Sequence, residues 1–364
     1  VKDKKKQGDQ PTISLLFEGG IPFHKVNDYS WAAGLAIMGH AQESLEKALN
    51  AFEQLVLLQS CLHPASNTPD NHLKENILIP NDHKNFADKA KLLHLPLAAG
   101  ILWSIYQLHP EEPLAKEALQ KYYPELLAYQ NLLYQERDPQ EDGLISIFHP
   151  WESLHSQEDH WQEKLQSIAD KQAPQNDKVS GGYQLLEQLA EGAAPFEIQD
   201  PLFHAFLSWS NESLIQMGGV LGEDVLDIME KYELTVFSIN DQLWNADQRQ
   251  FCPFDLKQQI HLPVDVLYSA LCLFSEVATQ DQAEELYPQI EKRLKKKMAT
   301  KIKAAEFHPL SIAEQILLLE GLNTYGFDEL TVLLMQRLNF LLQQNAEEEE
   351  HDFLMKGFQL FLQS

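Results

Sequence analysis

The feature that most constrains this chain is an alternation of connection lengths. From about Asp28 onward it reads as helical almost throughout, and the helices come in pairs. An apolar helix ends at a very short turn, and a more amphipathic, charged helix follows at once. The pairs are 30–38 with 42–58, 86–108 with 114–134, 202–220 with 225–244, 264–277 with 283–294, and 312–324 with 330–342. A last helix reads over 351–362. Turns within a pair are as short as antiparallel neighbours require. Connections between pairs are long: 59–85, 137–200, 245–262 and 295–310. Short turns therefore gather at one end of the bundle and long loops at the other, and a binding site belongs at the long-loop end. A helical solenoid would give the same alternation with a fixed repeat. The irregular intervals here predict a closed all-α barrel of six hairpins, with the last hairpin reading as incomplete.

Residues 1–12 read as a disordered, charged lead, and residues 13–364 as one domain opening on a short extended piece at 13–17. The lead has no apolar core and is no signal peptide. A cytoplasmic location is the expectation, with an upstream segment left open because the chain does not begin with Met. No apolar run reaches membrane-spanning length. The net charge is −26, from 54 acidic and 28 basic residues. Such a surface repels nucleic acid and anionic membranes but not a neutral ligand. Three widely spaced cysteines, Cys61, Cys252 and Cys272, indicate neither a disulfide framework nor a cysteine metal site. Residues 171–182 read as a polar, mobile loop. The basic run 292–303 reads as a solvated helix face, and Glu347–Glu350 as an exposed loop.

The connection after the second pair is the densest in chemistry. Ile147 to Trp161 carries three His, two Trp and three acids around Pro150. Pro150 lacks an amide hydrogen and pushes His149 towards an extended conformation, so the stretch is a loop. His149, Glu152, His155 and His160 lack the i, i+4 spacing of a zinc helix, so no metal is expected. Nor is there a glycine-rich phosphate loop or a nucleophile elbow, and no cofactor is implied.

His149-Pro150-Trp151-Glu152-Ser153, with Trp161 following, resembles the His-Pro-Trp-Glu-Ser loop of the mannosylglycerate hydrolase and glycoside hydrolase family 63 group. The resemblance continues in order. Leu95 to Trp103 is similar to that family's Pro-Pro-Leu-Leu-Ala helix, and Asp200-Pro201-Leu202-Phe203 to its Asp-Pro-Leu-Phe-Asn helix. Pro253-Phe254-Asp255-Leu256 resembles its Tyr-Asp-x-Asp hairpin, and Gly321 to Asp328 its Gly-Leu-x-x-Tyr-Gly-Phe-Asp turn. Asp28 matches its Trp-Asp segment loosely, with Asn27 in the Trp place. The resemblance implies an (α/α)6 barrel and inverting glycoside hydrolysis.

That chemistry takes one protonated carboxyl and one carboxylate, about 6.5–9.5 Å apart, on opposite sides of the sugar. In an ungapped alignment the position of the family's general acid is Ser156. Glu158 and Asp159 lie just beyond it, and a shifted loop would present one of them as the acid. The plainer reading places both in a solvated helix start. The family's Tyr-Trp-Arg-Gly-Pro loop, a basic anchor for an acidic aglycone, corresponds to Ala305-Glu306-Phe307-His308-Pro309, and its next Asn to Gln315. The segment carrying the family's general base shrinks to residues 345–351. Three functions follow. One is a catalytically silent member that binds a neutral carbohydrate, with Trp31, Trp151 and Trp161 stacking on sugar faces and Asp28, His149, Glu152 and Asp200 bonding hydroxyls. A second is an active hydrolase with relocated acids. The third is a structural or interaction protein whose pocket has filled with side chains.

Overall fold

The computed structural model describes residues 21–62, 77–80, 82–154, 161, 164–165, 178–298 and 310–344. The five expected pairs are present: α1 (Val26–Ala41) with α2 (Leu45–Leu62), α4 (Ala98–Leu108) with α5 (Pro113–Arg137), α7 (Pro201–Leu221) with α8 (Leu226–Ser238), α9 (Val266–Leu271) with α10 (Gln280–Met298), and α11 (Ile312–Thr324) with α12 (Asp328–Gln344). The first helix of each pair faces the barrel axis. α1 touches α4, α4 touches α7, the 3-10 turn after α9 joins α7 to α11, and α11 returns to α1. Trp31 Nε1 donates to Ala313 O at 2.8 Å across that last contact. The chain is an (α/α)6 barrel. The expected final helix, the charged lead and the piece at 13–17 lie outside the described residues. No helix among the described residues is long and apolar enough to cross a membrane.

The inner helices α7, α9 and α11 begin at side-chain caps. Asp200 accepts from the amides of Leu202 and Phe203 at the start of α7, where Pro201 occupies the first turn and needs no partner. Ser311 and Glu314 form a reciprocal capping box on α11. At the far end of α7, Gly222 takes φ 76°, closing the helix in a left-handed turn.

Three expectations need correcting. The helix read over 86–108 is two: α3 (Lys84–Ala90) stops at Lys91, which takes φ 48°, and the chain runs without helix to α4. Pro96 lacks a donor, and side chains from elsewhere take the amides before it. Leu93 N donates to Glu152 Oε1 at 2.7 Å, His94 N to the Tyr129 hydroxyl at 3.0 Å, and Leu95 N to Asn27 Oδ1 at 3.0 Å. Second, part of the loop read as mobile is helical: α6 (Lys178–Ala190) packs on α3. Third, α8 ends before Trp244, passing into a π-turn over Ile239–Leu243.

The long loops meet as expected. β3 (Ser146–Ile147), β4 (Ile198–Gln199), β7 (Phe254–Asp255) and β8 (Ile260–His261) form one antiparallel sheet in that order. β1 (Ile21–Pro22) pairs in parallel with β2 (Ile77–Leu78), and β5 (Trp244–Asn245) with β6 (Gln250–Phe251). The four-stranded sheet fastens the connection after the second pair to the start of α7 and to the hairpin after α8. It therefore fixes where residues 148–154 sit.

Candidate functional site

Residues 148–154 leave β3 and turn through a single 3-10 turn, Pro150–Glu152. His149 holds its entrance. His149 Nδ1 accepts from Trp151 N at 3.1 Å, so the ring proton is on Nε2, which donates to Gly182 O on α6 at 2.9 Å. Burial pushes this histidine's pKa down to about 4, so the ring is neutral. His204 on α7 is held likewise. Its Nε2 accepts from Ile145 N at 2.7 Å, its Nδ1 donates to Asp200 O at 2.6 Å, and burial lowers it to about 4.

Glu152 is fully buried and is the anchor of the loop. Oε1 accepts from Leu93 N at 2.7 Å and Arg137 Nη2 at 3.1 Å. Oε2 accepts from Phe148 N at 2.6 Å, His149 N at 3.2 Å and Arg137 Nη1 at 3.4 Å. Both oxygens are occupied by donors of this chain. Arg137 ends α5 and also reaches the carbonyls of Ser146 and Lys91, with Phe148 under its guanidinium at 4.2 Å. Glu152, expected from the sequence to bond a sugar hydroxyl, here joins α5, the loop and the non-helical stretch before α4.

The three tryptophans expected to stack on a sugar are packed among side chains of the core. Trp151 is 4 % exposed. Its ring meets Phe23, His149 and Tyr183 at centroid distances of 5.7, 4.4 and 4.9 Å, and its carbonyl accepts from Asn27 Nδ2 at 2.8 Å. Trp161 is fully buried, 5.6 Å from the Phe196 ring. Trp31 lies on the barrel axis against Phe206 and Trp209. None presents a ring face to solvent in this structure.

Asp200 is buried as the cap of α7, and Tyr268 donates its hydroxyl to it. Burial raises its pKa, against the pull of Tyr268 and the two capping amides. Asp255 is a second buried carboxylate, paired with Lys164 Nζ at 2.5 Å and capped by the amides of Lys257 and Gln258. Gln315 donates to Leu310 O at 3.1 Å and accepts from Arg337 Nε at 3.2 Å. Of the residues expected to bind substrate, only Asp28, in the first turn of α1, is partly exposed. Ser156, Glu158 and Asp159 lie outside the described residues, as do His155, His160 and the segments 305–309 and 345–351. Arg137, Asn27 and Tyr129 were not visible as site residues in the sequence: single polar residues on amphipathic helices carry no signal for a partner in a distant loop.

The buried histidines contribute a definite sign to the acid response, opposed by the raised carboxyl of Asp200. The folded-state pKa of His149 and of His204 is about 4, against an ordinary value of 6.5. The unfolded chain therefore takes up these protons first. The stability they favour is complete above about pH 6.5 and declines as pH falls towards about 4. Urea unfolding at pH 7 and pH 5 is expected to give a lower midpoint at pH 5, and His149→Asn is expected to shrink that difference.

Residues 25–305 match the family model of the mannosylglycerate hydrolase MGH1-like glycoside hydrolase domain. The mannosylglycerate hydrolase of Rubrobacter radiotolerans is 23 % identical over 71 % of this chain and 67 % of its own. That of Thermus thermophilus is 21 % identical over 91 % of this chain and 90 % of its own. The crystal structure of a family 63 mannosylglycerate hydrolase from Thermus thermophilus, in complex with Tris and D-glycerate, superposes with a TM-score of 0.72 at 20 % identity, covering 92 % of each chain. The glucose complex of that enzyme gives 0.71 at 20 % identity, again over 92 % of each.

Proposed function

The chain belongs to the mannosylglycerate hydrolase MGH1-like glycoside hydrolase family, and we propose that within it this protein is a catalytically silent member that binds a neutral carbohydrate at the long-loop end. The observation that carries this reading is the serine at position 156, where the resemblance puts the general acid. Glu152 on one side and Trp161 on the other are both buried and packed. A serine hydroxyl is far too weak an acid to protonate a leaving oxygen. The shortened segment at 345–351 supports the loss of the base as well. With no arginine in the segment 305–309, a neutral sugar suits the site better than one bearing an acidic aglycone. The acidic surface does not repel such a ligand.

Hydrolysis of mannosylglycerate and glucosylglycerate by the purified chain is the test. Loss of the general acid alone is expected to lower turnover by about two to four orders of magnitude relative to an active member. Mannose, glucose and their oligosaccharides are expected to raise the melting temperature saturably. Robust turnover abolished by Glu158→Gln or Asp159→Asn would replace this reading with an active hydrolase using relocated acids. Absence of both turnover and any sugar-dependent shift would leave only a structural role.

A further inference from the structure

Towards the opposite end of the barrel, where the inner helices finish in short turns, an open cavity of about 320 Å³ shares no lining residue with the site above. Its lining is mostly polar, with Ser104, Gln107, Ser213, Gln216 and Ser275, and it includes three aromatic side chains: Trp103 from α4, Trp209 from α7 and Phe274 from the 3-10 turn after α9. Trp209 and Phe274 stand nearly perpendicular, at 78° with centroids 6.0 Å apart, and form a corner. Three carboxyl groups line the same space: Glu212 from α7, Glu276 at the end of the 3-10 turn, and Glu320 from α11. No Lys, Arg or His is among the lining residues.

Packing brings the three acids together. A Cβ on Gly321 would lie 2.6 Å from Leu273 Cβ, so only glycine lets α11 approach the 3-10 turn this closely. That approach sets Glu320 beside Glu276. Glu212 and Glu276 stand exposed at the rim, and Glu320 is half-buried with an Oε2 that no group among the described residues bonds. Desolvation, then the charge of Glu276, raises both Glu212 and Glu320, the latter to about 7. The other titratable groups facing the cluster, Tyr232 and Tyr325, are themselves pushed up and carry no positive charge. The cavity thus sets acidic groups that repel one another beside aromatic rings able to attract a cation, with no counter-charge among the described lining residues.

We propose that this cavity is a binding site for a small organic cation, an alkylammonium or quaternary ammonium group held against Trp103 and Trp209 and neutralised by Glu212, Glu276 and Glu320. A neutral sugar would also stack on tryptophan, but it would leave the carboxylates repelling one another. The volume is at the small end of ligand sites and suits a compact cation. The site is independent of the long-loop end, so the outcome of the sugar experiments does not bear on it.

Calorimetric titration of the purified chain with tetramethylammonium chloride, at pH 8 and constant ionic strength, tests the assignment. Saturable 1:1 binding is expected. Glu320→Gln and Glu212→Gln are each expected to weaken it by about tenfold or more. Glu284→Gln, which removes an equal charge from α10 away from this cavity, is expected to leave it unchanged. Binding is expected to be weaker at pH 6 than at pH 8. Each glutamine variant relieves repulsion and is expected to unfold no earlier than the parent. Absence of saturable binding would overturn the proposal. So would equal weakening by all three variants, which would reflect net charge alone, or displacement of the cation by glucose.

Discussion

Glu152→Gln is expected to destabilise the fold by about 3–5 kcal/mol, the penalty for leaving one member of a buried ion pair without its partner. The substituted amide keeps one acceptor oxygen where Glu152 uses two. Its NH2 group would face either Leu93 N and Arg137 Nη2 on one side, or Phe148 N, His149 N and Arg137 Nη1 on the other. Donor would meet donor in either orientation. Arg137, 4 % exposed, would keep its charge with no carboxylate beside it. Denaturant unfolding of the variant and of Arg137→Met/Glu152→Gln checks this. The double variant is expected to lose no more than Glu152→Gln alone, because it removes the stranded charge. A loss below about 1 kcal/mol in the single variant would mean that Glu152 is free to serve a ligand.

The same residue marks the limit of what this sequence discloses. Helical periodicity and short turns are local properties, and they placed five hairpins and the meeting of the long loops. The break before α4 is not local. Its causes, Glu152, Tyr129 and Asn27, are 59, 35 and 68 positions from the amides they take. An apolar run containing Pro96 therefore read as one helix. The strands at the long-loop end are two residues each, too short for any alternation to register. At the site, residue type was legible and role was not. A glutamate beside a tryptophan in a polar loop has the composition of a sugar subsite, and it has the same composition when an arginine from the preceding helix consumes both of its oxygens. The three acids of the second cavity come from three inner elements and share no spacing that would join them in sequence.

Trp151→Ala is expected to cost about 3–5 kcal/mol, the range for deleting a large buried aromatic side chain into a cavity that collapses incompletely. The surroundings have little freedom to close. His149 is pinned through both ring nitrogens, between the Trp151 amide and Gly182 O. Phe23 and Tyr183 meet the indole edge-on, at 84° and 79°. α6 is set at its distance by the ring itself: a Cβ on Gly182 would lie 2.4 Å from Trp151 Cζ2, so the glycine exists to let the helix touch the indole. Removing the ring leaves that helix, the 3-10 turn before α1 and the loop without their common contact. Equilibrium unfolding of Trp151→Ala and Trp151→Phe checks the account, with Phe restoring part of the loss by refilling part of the volume. Titration of both variants with mannose and glucose oligosaccharides separates the alternatives. A plug predicts a large stability loss that a saturating sugar does not single out. A variant that unfolds like the parent yet no longer responds to sugar would return Trp151 to the role of stacking platform, and would require the loop to open on binding.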